Sequence, residues 1–389
     1  MNITGNIKLA AVGDMMLGDH PVRLGNGVRS VIERLGTEHL FTHVEPLFRE
    51  CDIVFGNLEA PHSDMGALPN RLESIEFRGS KESIPVLKKA GFNILNFSNN
   101  HCMQHGEKAF WETVNLIRQN GIFPAGVKGD DDRCIPYEFE KNNTRMILLS
   151  YSLRAENYHP GKNLPYTFKN EDSIIEEVMY FRDSADFLIL SLHWGEEYMD
   201  FPSPMQVLFS HKLADAGANL IIGHHPHVLQ GVELYRDSLI VYSLGNFVFD
   251  MWQKKTRKSA ILRVDFSREG IDNFDLIPIY INDTFQPKPM DGKSYEKFLK
   301  ELANLNQAIK ERYLAKDLEA DLNAVKKAEK YYQKLAHKRM TKHRLEDYYY
   351  FLSHIYQYSP NIIFQSAKRS LLRRMGEIRK SRLRESPLC

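Results

Sequence analysis

The sequence predicts an α/β protein with a largely buried sheet and an appended C-terminal helical region, on three observations. From residue 7 to about 282, short apolar runs of β-like composition alternate with amphipathic stretches, the pattern of strands crossed by helices. Polar residues able to bind metal follow the apolar part of five of those runs. Near Pro287 and Pro289 the composition shifts, and residues 294–358 then contain almost no helix breakers.

In chain order the β-like runs are "IKLAAVGD", "CDIVFGNLE", "FNILNFSNN", "RMILLSY", "ADFLILSLHWG", "ANLIIGHHPH", "LIVYSLGNFVF" and "KSAILRVDF". Between several of them lie amphipathic segments such as "KESIPVLKKAG", "GEKAFWETVNLIRQNG" and "QVLFSHKLADAG". The last two end in the glycine expected just past a helix. Beyond Pro289, Phe298, Leu302, Leu305 and Ile309 recur at helical spacing. This divides the chain into a domain over 1–286 and a helical region over 287–389. After Pro360 a segment with eight Lys/Arg against two Glu forms a basic tail.

Composition excludes several classes. Hydrophobic content of 43% with 17 Pro in 389 residues argues against a disordered chain. A net charge of +1 gives no global pull toward nucleic acid or membrane, and aromatic residues are not interleaved with the basic ones in the tail, so no nucleic-acid partner is expected. No apolar run reaches the roughly 18 residues of a spanning helix, and the N-terminal segment has no signal-type core. Cys51, Cys102, Cys134 and Cys389 are scattered without a CxxC pair. Reduced thiols, and hence a cytoplasmic protein, are the expectation.

The strand ends carry the chemistry. Asp14, Asn57 with Glu59, Asn99 to His101, His193, and His224 to His227 all follow apolar runs, and α/β proteins build sites in the crevice beyond the carboxyl ends of strands. Each residue has a plain alternative: Asp14 as a helix cap, Asn99-Asn100 as a turn pair, His193 as a hydrogen-bonded core histidine. Recurrence at five strand ends argues for a metal centre instead. Imidazole, carboxylate and amide oxygen without thiolate suit Mn, Fe or Zn, one or two ions. Pro226 lets His225 and His227 present two imidazoles from one loop, and His224 could ligate in place of His225. Asp14 and Glu59 are the carboxylates, Asn100 supplies a neutral oxygen, and His101 is placed to act on a leaving group. Cys102, beside His101, is read as structural.

The series "AVGDMMLGD", "GNLEAP", "FSNNHCMQHG", "LHWGEEY", "IIGHHPHVLQG" and "YSLGNFVFD" resembles the bacterial capsule synthesis protein CapA (poly-gamma-glutamate capsule) family, a divergent branch of the calcineurin-like metallophosphoesterases, over about residues 7–282. The resemblance implies a four-layer αββα metallophosphatase-like sandwich with its metal site at the strand ends. It implies Asp14, Glu59, Asn100, His193, His225 and His227 as metal ligands and His101 as the catalytic acid. Asn57, Asn99, Glu196, His224 and Asn246 stand as supporting or substrate-contacting groups. In the wider superfamily the first motif is Asp-x-His and the second contains Gly-Asp; this chain has Asp14-Met15-Met16 and Asn57-Leu58-Glu59.

The expected function is metal-dependent hydrolysis, phosphoesterase in type, in the formation of capsule or another surface polymer. The alternative is a non-catalytic component of a polymer synthesis or export complex that keeps the fold. Expected partners are a phosphoester or polymer substrate, subunits of such a complex, and the inner membrane, touched peripherally through the basic tail.

Overall fold

The structure, a computed structural model, describes residues 6–67, 72–155, 163–314 and 322–368. In chain order its strands are β1 (Ile7–Met15), β2 (Ile53–Leu58), β3 (Ile94–Asn96), β4 (Phe123–Ala125), β5 (Tyr137–Lys141), β6 (Thr144–Ser152), β7 (Phe187–His193), β8 (Leu220–His224), β9 (Val232–Tyr235), β10 (Ser238–Val241), β11 (Asn246–Val248), β12 (Lys258–Ser267), β13 (Gly270–Ile281) and β14 (Pro287–Pro289). They form two sheets. One runs β14-β13-β12-β1-β2-β3-β4 with β11 pairing β1, and the other runs β5-β6-β7-β8-β10-β9.

Alternation along the strands explains the layering. In β1, Leu9 and Ala11 face the second sheet, where they meet Met146, Leu148, Ile189 and Ile222. Ala10 and Val12 point the other way, into a core shared with the helices α1 (Val28–Leu35), α2 (Ser83–Lys89) and α3 (Glu107–Gln119) through Val28, Val31, Leu87 and Phe110. The second sheet repeats the arrangement. Its outer residues Leu149, Leu190 and Ile221 pack on Ile174 and Val178 of α4 (Glu171–Phe181) and on Val207 and Leu213 of α5 (Pro204–Ala216). The result is a four-layer α/β sandwich, each buried aliphatic or Phe side chain stabilising it by about 1.5–3 kcal/mol.

Past Pro287 the chain stays on this body. β14 extends the first sheet, and α6 (Gly292–Ile309) buries Phe298 and Ile309 in the two cores that the second sheet helps to form. Asn306 of α6 accepts the Val232 backbone N–H at 2.8 Å. The long helix α7 (Leu322–Ser353) follows, and residues 360–368 are again helical. Most of the expected membrane-contacting tail, residues 369–389, lies outside the described residues. Among the described residues no helix is long and apolar enough to cross a membrane. Cys102 and Cys134 are buried, with burial pushing the Cys134 thiol up to about 12.

Two glycines permit close approaches. A Cβ on Gly223 would stand 1.9 Å from the Tyr242 carbonyl oxygen, which is why a glycine precedes the histidine cluster. A Cβ on Gly27 would stand 2.1 Å from Asp250 Oδ2 and 2.5 Å from Asp19 Oδ1, two carboxyls that are both buried. Asp250 Oδ2 accepts the His20 backbone N–H at 2.8 Å. Burial, and then the neighbouring Asp19, raise Asp250 from 3.8 to about 8.

Two outcomes follow. Gly223→Ala should destabilise the fold by about 2 kcal/mol or more, read from a urea midpoint, because the new methyl overlaps backbone. Between about pH 4 and pH 8 the folded chain keeps a proton on Asp250 that the unfolded chain has lost, so this group lowers stability as pH rises through that window. Asp250→Asn should therefore gain midpoint relative to the parent at pH 8 and gain less at pH 5. An equal change at both values contradicts the assignment.

Candidate metal centre

Strand register assembles the site. Parallel pairing places Asp14 of β1 opposite Asn57 of β2 on one side and Asn246 of β11 on the other. In the second sheet His193 of β7 stands opposite His224 of β8. All five are buried at strand carboxyl ends or, for Asn246, at a strand start.

Asp14 faces protein groups. Its Oδ1 accepts Asn57 Nδ2 at 2.8 Å and its Oδ2 accepts the His225 backbone N–H at 3.2 Å. His224 Nδ1 and His227 Nδ1 each lie 3.3 Å from one of its oxygens. Burial opposes ionisation of Asp14, but the His224 and His227 imidazoles beside it outweigh burial and hold the carboxyl well below its ordinary range. Asp14, an expected ligand, also joins the first sheet to the histidine loop.

Glu59 is the opposite case. It is fully buried and neither carboxylate oxygen has a hydrogen-bond partner among the described residues. Its Oε1 lies 3.8 Å from His227 Nε2, 3.9 Å from His193 Nε2 and 4.0 Å from His101 Nε2. Glu59, His225 and His227 each offer a ligand atom within 4.8 Å of the other two. Among the described residues both ring nitrogens of buried His225, and both of buried His224, also lack hydrogen-bond partners. Orphaned buried atoms of this kind call for an explanation, and a carboxylate with two imidazoles is a donor set for a divalent cation. The residues fit a metal.

Local structure aims these groups. His225 and His227 both adopt left-handed backbone, φ +97° and +57°, a conformation costing on the order of 1–3 kcal/mol at a non-glycine residue. It turns both rings inward, with centroids 5.9 Å apart. Asn246 gives Nδ2 to the Thr256 carbonyl, so its Oδ1 accepts the His227 Nδ1–H at 2.9 Å and leaves Nε2 toward Glu59. His224 stays in the strand beside Phe55, so of the two adjacent histidines His225 is the one that joins the cluster.

Protonation follows burial and charge. Burial, then the Asp14 charge, push Glu59 well above its usual range. Burial holds His193 and His225 well below theirs, leaving neutral imidazoles. For His227 burial opposes charging, yet Glu59 and Asp14 outweigh it and raise the ring to about 10. The site holds protons where a cation would otherwise supply positive charge.

The remaining expected residues fall around this set. Asn100 Oδ1 lies 2.8 Å from His193 Nε2. Asn99 braces the turn, donating to the Leu58 carbonyl at 2.8 Å and accepting the His101 backbone N–H at 3.1 Å. Asn57 also accepts Asn96 Nδ2 at 2.8 Å. His101 stacks on Phe77 with centroids 4.3 Å apart, and its Nδ1 bonds Gln104 Oε1 at 2.7 Å. Burial lowers it to about 4. Glu196 turns away from the cluster and pairs with Arg154 at 2.9 Å.

Residues the sequence reading did not single out stand closer. Glu197 exerts its charge on Glu59 and His227. Tyr198, at φ +62°, donates its backbone N–H to the Pro226 carbonyl at 2.9 Å. Phe77 and Phe249 complete an apolar rim with Met16 and Met251. The signal available was their place in or beside the quoted motifs, "LHWGEEY" above all.

The chain is similar in sequence to known capsule synthesis proteins. The family model of the bacterial capsule synthesis protein PGA_cap matches residues 8–251. A capsule biosynthesis protein CapA from Bacillus anthracis is 32% identical over 298 residues, 73% of this chain and 69% of that protein. A PGA biosynthesis protein CapA from Bacillus subtilis is 33% identical over 301 residues, 76% of this chain and 77% of that protein. A solved putative 5'-nucleotidase from Staphylococcus aureus aligns with a TM-score of 0.46 at 13% identity, covering 77% of this chain and 58% of that one. With the motifs in order on one buried centre, and a family model spanning most of the sandwich, the chain belongs to the bacterial capsule synthesis protein family of the Bacillus CapA proteins.

Proposed function

We propose that this protein is a metal-dependent hydrolase acting on a phosphoester in the formation of capsule or a related surface polymer. The observation that carries the reading is the fully buried Glu59 carboxylate, without a hydrogen-bond partner and converging with His225 and His227. These three would hold a divalent cation such as Mn, Fe or Zn; Asn100 and His193, with His193 Nε2 3.9 Å from Glu59 Oε1, would hold a second. Such a cation polarises a phosphoryl oxygen and lowers the pKa of adjacent water.

The chain's own groups supply the rest. Gln104 fixes the His101 ring so that Nε2 faces the cluster, and the Phe77 stack keeps it there. His101 Nε2 is the atom that would exchange a proton with a leaving oxygen, the charge of a bound phosphoester offsetting the burial that lowers the ring to about 4. Asp14 holds the His225-Pro226-His227 turn in place, and Asn246 sets the His227 tautomer.

A second reading, a non-catalytic member of a polymer synthesis or export complex with one structural metal, is favoured by Met16, which stands where an imidazole would complete a first-motif site, and by the engagement of Asp14 with protein groups. A relative in Mycobacterium tuberculosis is named a probable polyglutamine synthesis accessory protein. Peripheral contact with the inner membrane through the Lys/Arg-rich segment after Pro360 belongs to either reading. The full chain should float with vesicles containing anionic lipid and not with neutral ones.

The Mn-loaded protein should hydrolyse bis(p-nitrophenyl) phosphate or p-nitrophenyl phosphate. His101→Asn should lower kcat by about 10²-fold or more at unchanged metal content. Rates that do not respond to metal or to His101 leave the accessory reading. Because the Glu59–His227 pair must lose a proton to bind, Mn²⁺ affinity should rise from pH 5 to pH 8 with proton release, measured calorimetrically in buffers of different ionisation enthalpy. A pH-independent affinity contradicts those two ligands.

A further inference from the structure

Helix α7 lies outside residues 8–251, the span of the family model, yet it touches both loops that wall the metal cluster. On the loop after β7, Arg339 Nη1 donates to the Tyr198 carbonyl at 2.8 Å and to Asp200 Oδ2 at 2.9 Å. His343 lies flat on the Tyr198 ring, centroids 3.6 Å apart at 24°. Tyr332 and Ala336 bury Met199, and the Tyr332 hydroxyl donates to the Phe201 carbonyl at 3.2 Å. On the loop after β11, Trp252 Nε1 donates to Asp347 Oδ1 at 3.0 Å, and Gln253 Nε2 donates to His343 Nδ1 at 3.0 Å.

Tyr198 connects the helix to the ligands. Its N–H holds the Pro226 carbonyl, the peptide between His225 and His227, and its ring centroid lies 6.3 Å from that of His227. Both ligands sit in left-handed backbone that relaxes unless the surroundings over-determine it. One restraint comes from the first sheet, through Asp14 to the His225 N–H. Asn246 holds the His227 ring, and a further restraint comes from Tyr198, which is itself left-handed and clamped from outside by Arg339 and His343.

We propose that Arg339 and His343 are positioning residues of the metal centre: they fix Tyr198, and through the Pro226 peptide they keep His225 and His227 converged on Glu59. The C-terminal helix is thus a wall of the site rather than an appendage. The inference rests on the metal reading above. Groups that orient ligands typically change metal affinity by about 10–100-fold when removed.

The test is calorimetric titration of the full chain with Mn²⁺ alone, beside thermal melts of the metal-free protein. Arg339→Ala and His343→Ala should each weaken Mn²⁺ binding about tenfold or more. His343→Phe, which keeps a ring against Tyr198, should restore affinity to within about threefold of the parent, and Arg339→Gln serves if the alanine variant does not fold. Tyr198→Ala should weaken binding alone, and adding His343→Ala to it should have no further effect on affinity. Parent-like Mn²⁺ affinity in the Arg339 and His343 variants, even with lowered melting temperature, overturns the positioning role and leaves the metal site standing. A parent protein that binds no Mn²⁺ overturns both.

Discussion

The Asp14 carboxylate joins the two halves of this molecule. It stands at the end of β1 in the first sheet, and its oxygens meet Asn57 from the same sheet and His224, His225 and His227 from the second. A carboxylate taken wholly from water is stable only when hydrogen bonds and opposite charge replace the lost hydration. Asp14 has both, and in exchange it brings the histidine loop against the end of the neighbouring β2 strand. Through it the first sheet holds the left-handed His225 backbone.

That use of Asp14 leaves Glu59 as the unbalanced group. Two carboxylates lie in one buried pocket, and the partners available to the first are not available to the second. The protein meets the imbalance by keeping a proton on the Glu59–His227 pair. A divalent cation would remove the need for that proton and would satisfy Glu59, His225 and His227 together. The same logic explains why His193 and His225 are kept neutral: a charged imidazole cannot donate a lone pair.

Much of this was legible in the sequence because it depends on short-range pattern. Period-two alternation in runs such as "IKLAAVGD" gave the sheets, and the polar residue at each run's end gave the site, since strand ends are where chains leave the core. Side-chain direction was not legible. Nothing in "AVGDMML" says that Asp14 turns toward His227 rather than toward Glu59, because that choice depends on Asn57 and on a loop more than 200 residues away. Glu196 and Glu197 are indistinguishable in "HWGEEY"; the turn that sends one to Arg154 and the other toward His227 ends at Tyr198 with a positive φ that no glycine announces. The role of α7 is equally non-local, since Arg339 and His343 meet Tyr198 across some 140 residues.

The account's central claim is a cation bound by Glu59, His225 and His227. Anomalous diffraction from crystals of the full chain grown with Mn²⁺ tests it most directly. The account predicts a strong peak bounded by those three side chains, with Asp14 still bonded to Asn57. A peak at Asp14 and His224 that leaves Glu59 unliganded, or no peak in the buried cluster at all, would contradict it.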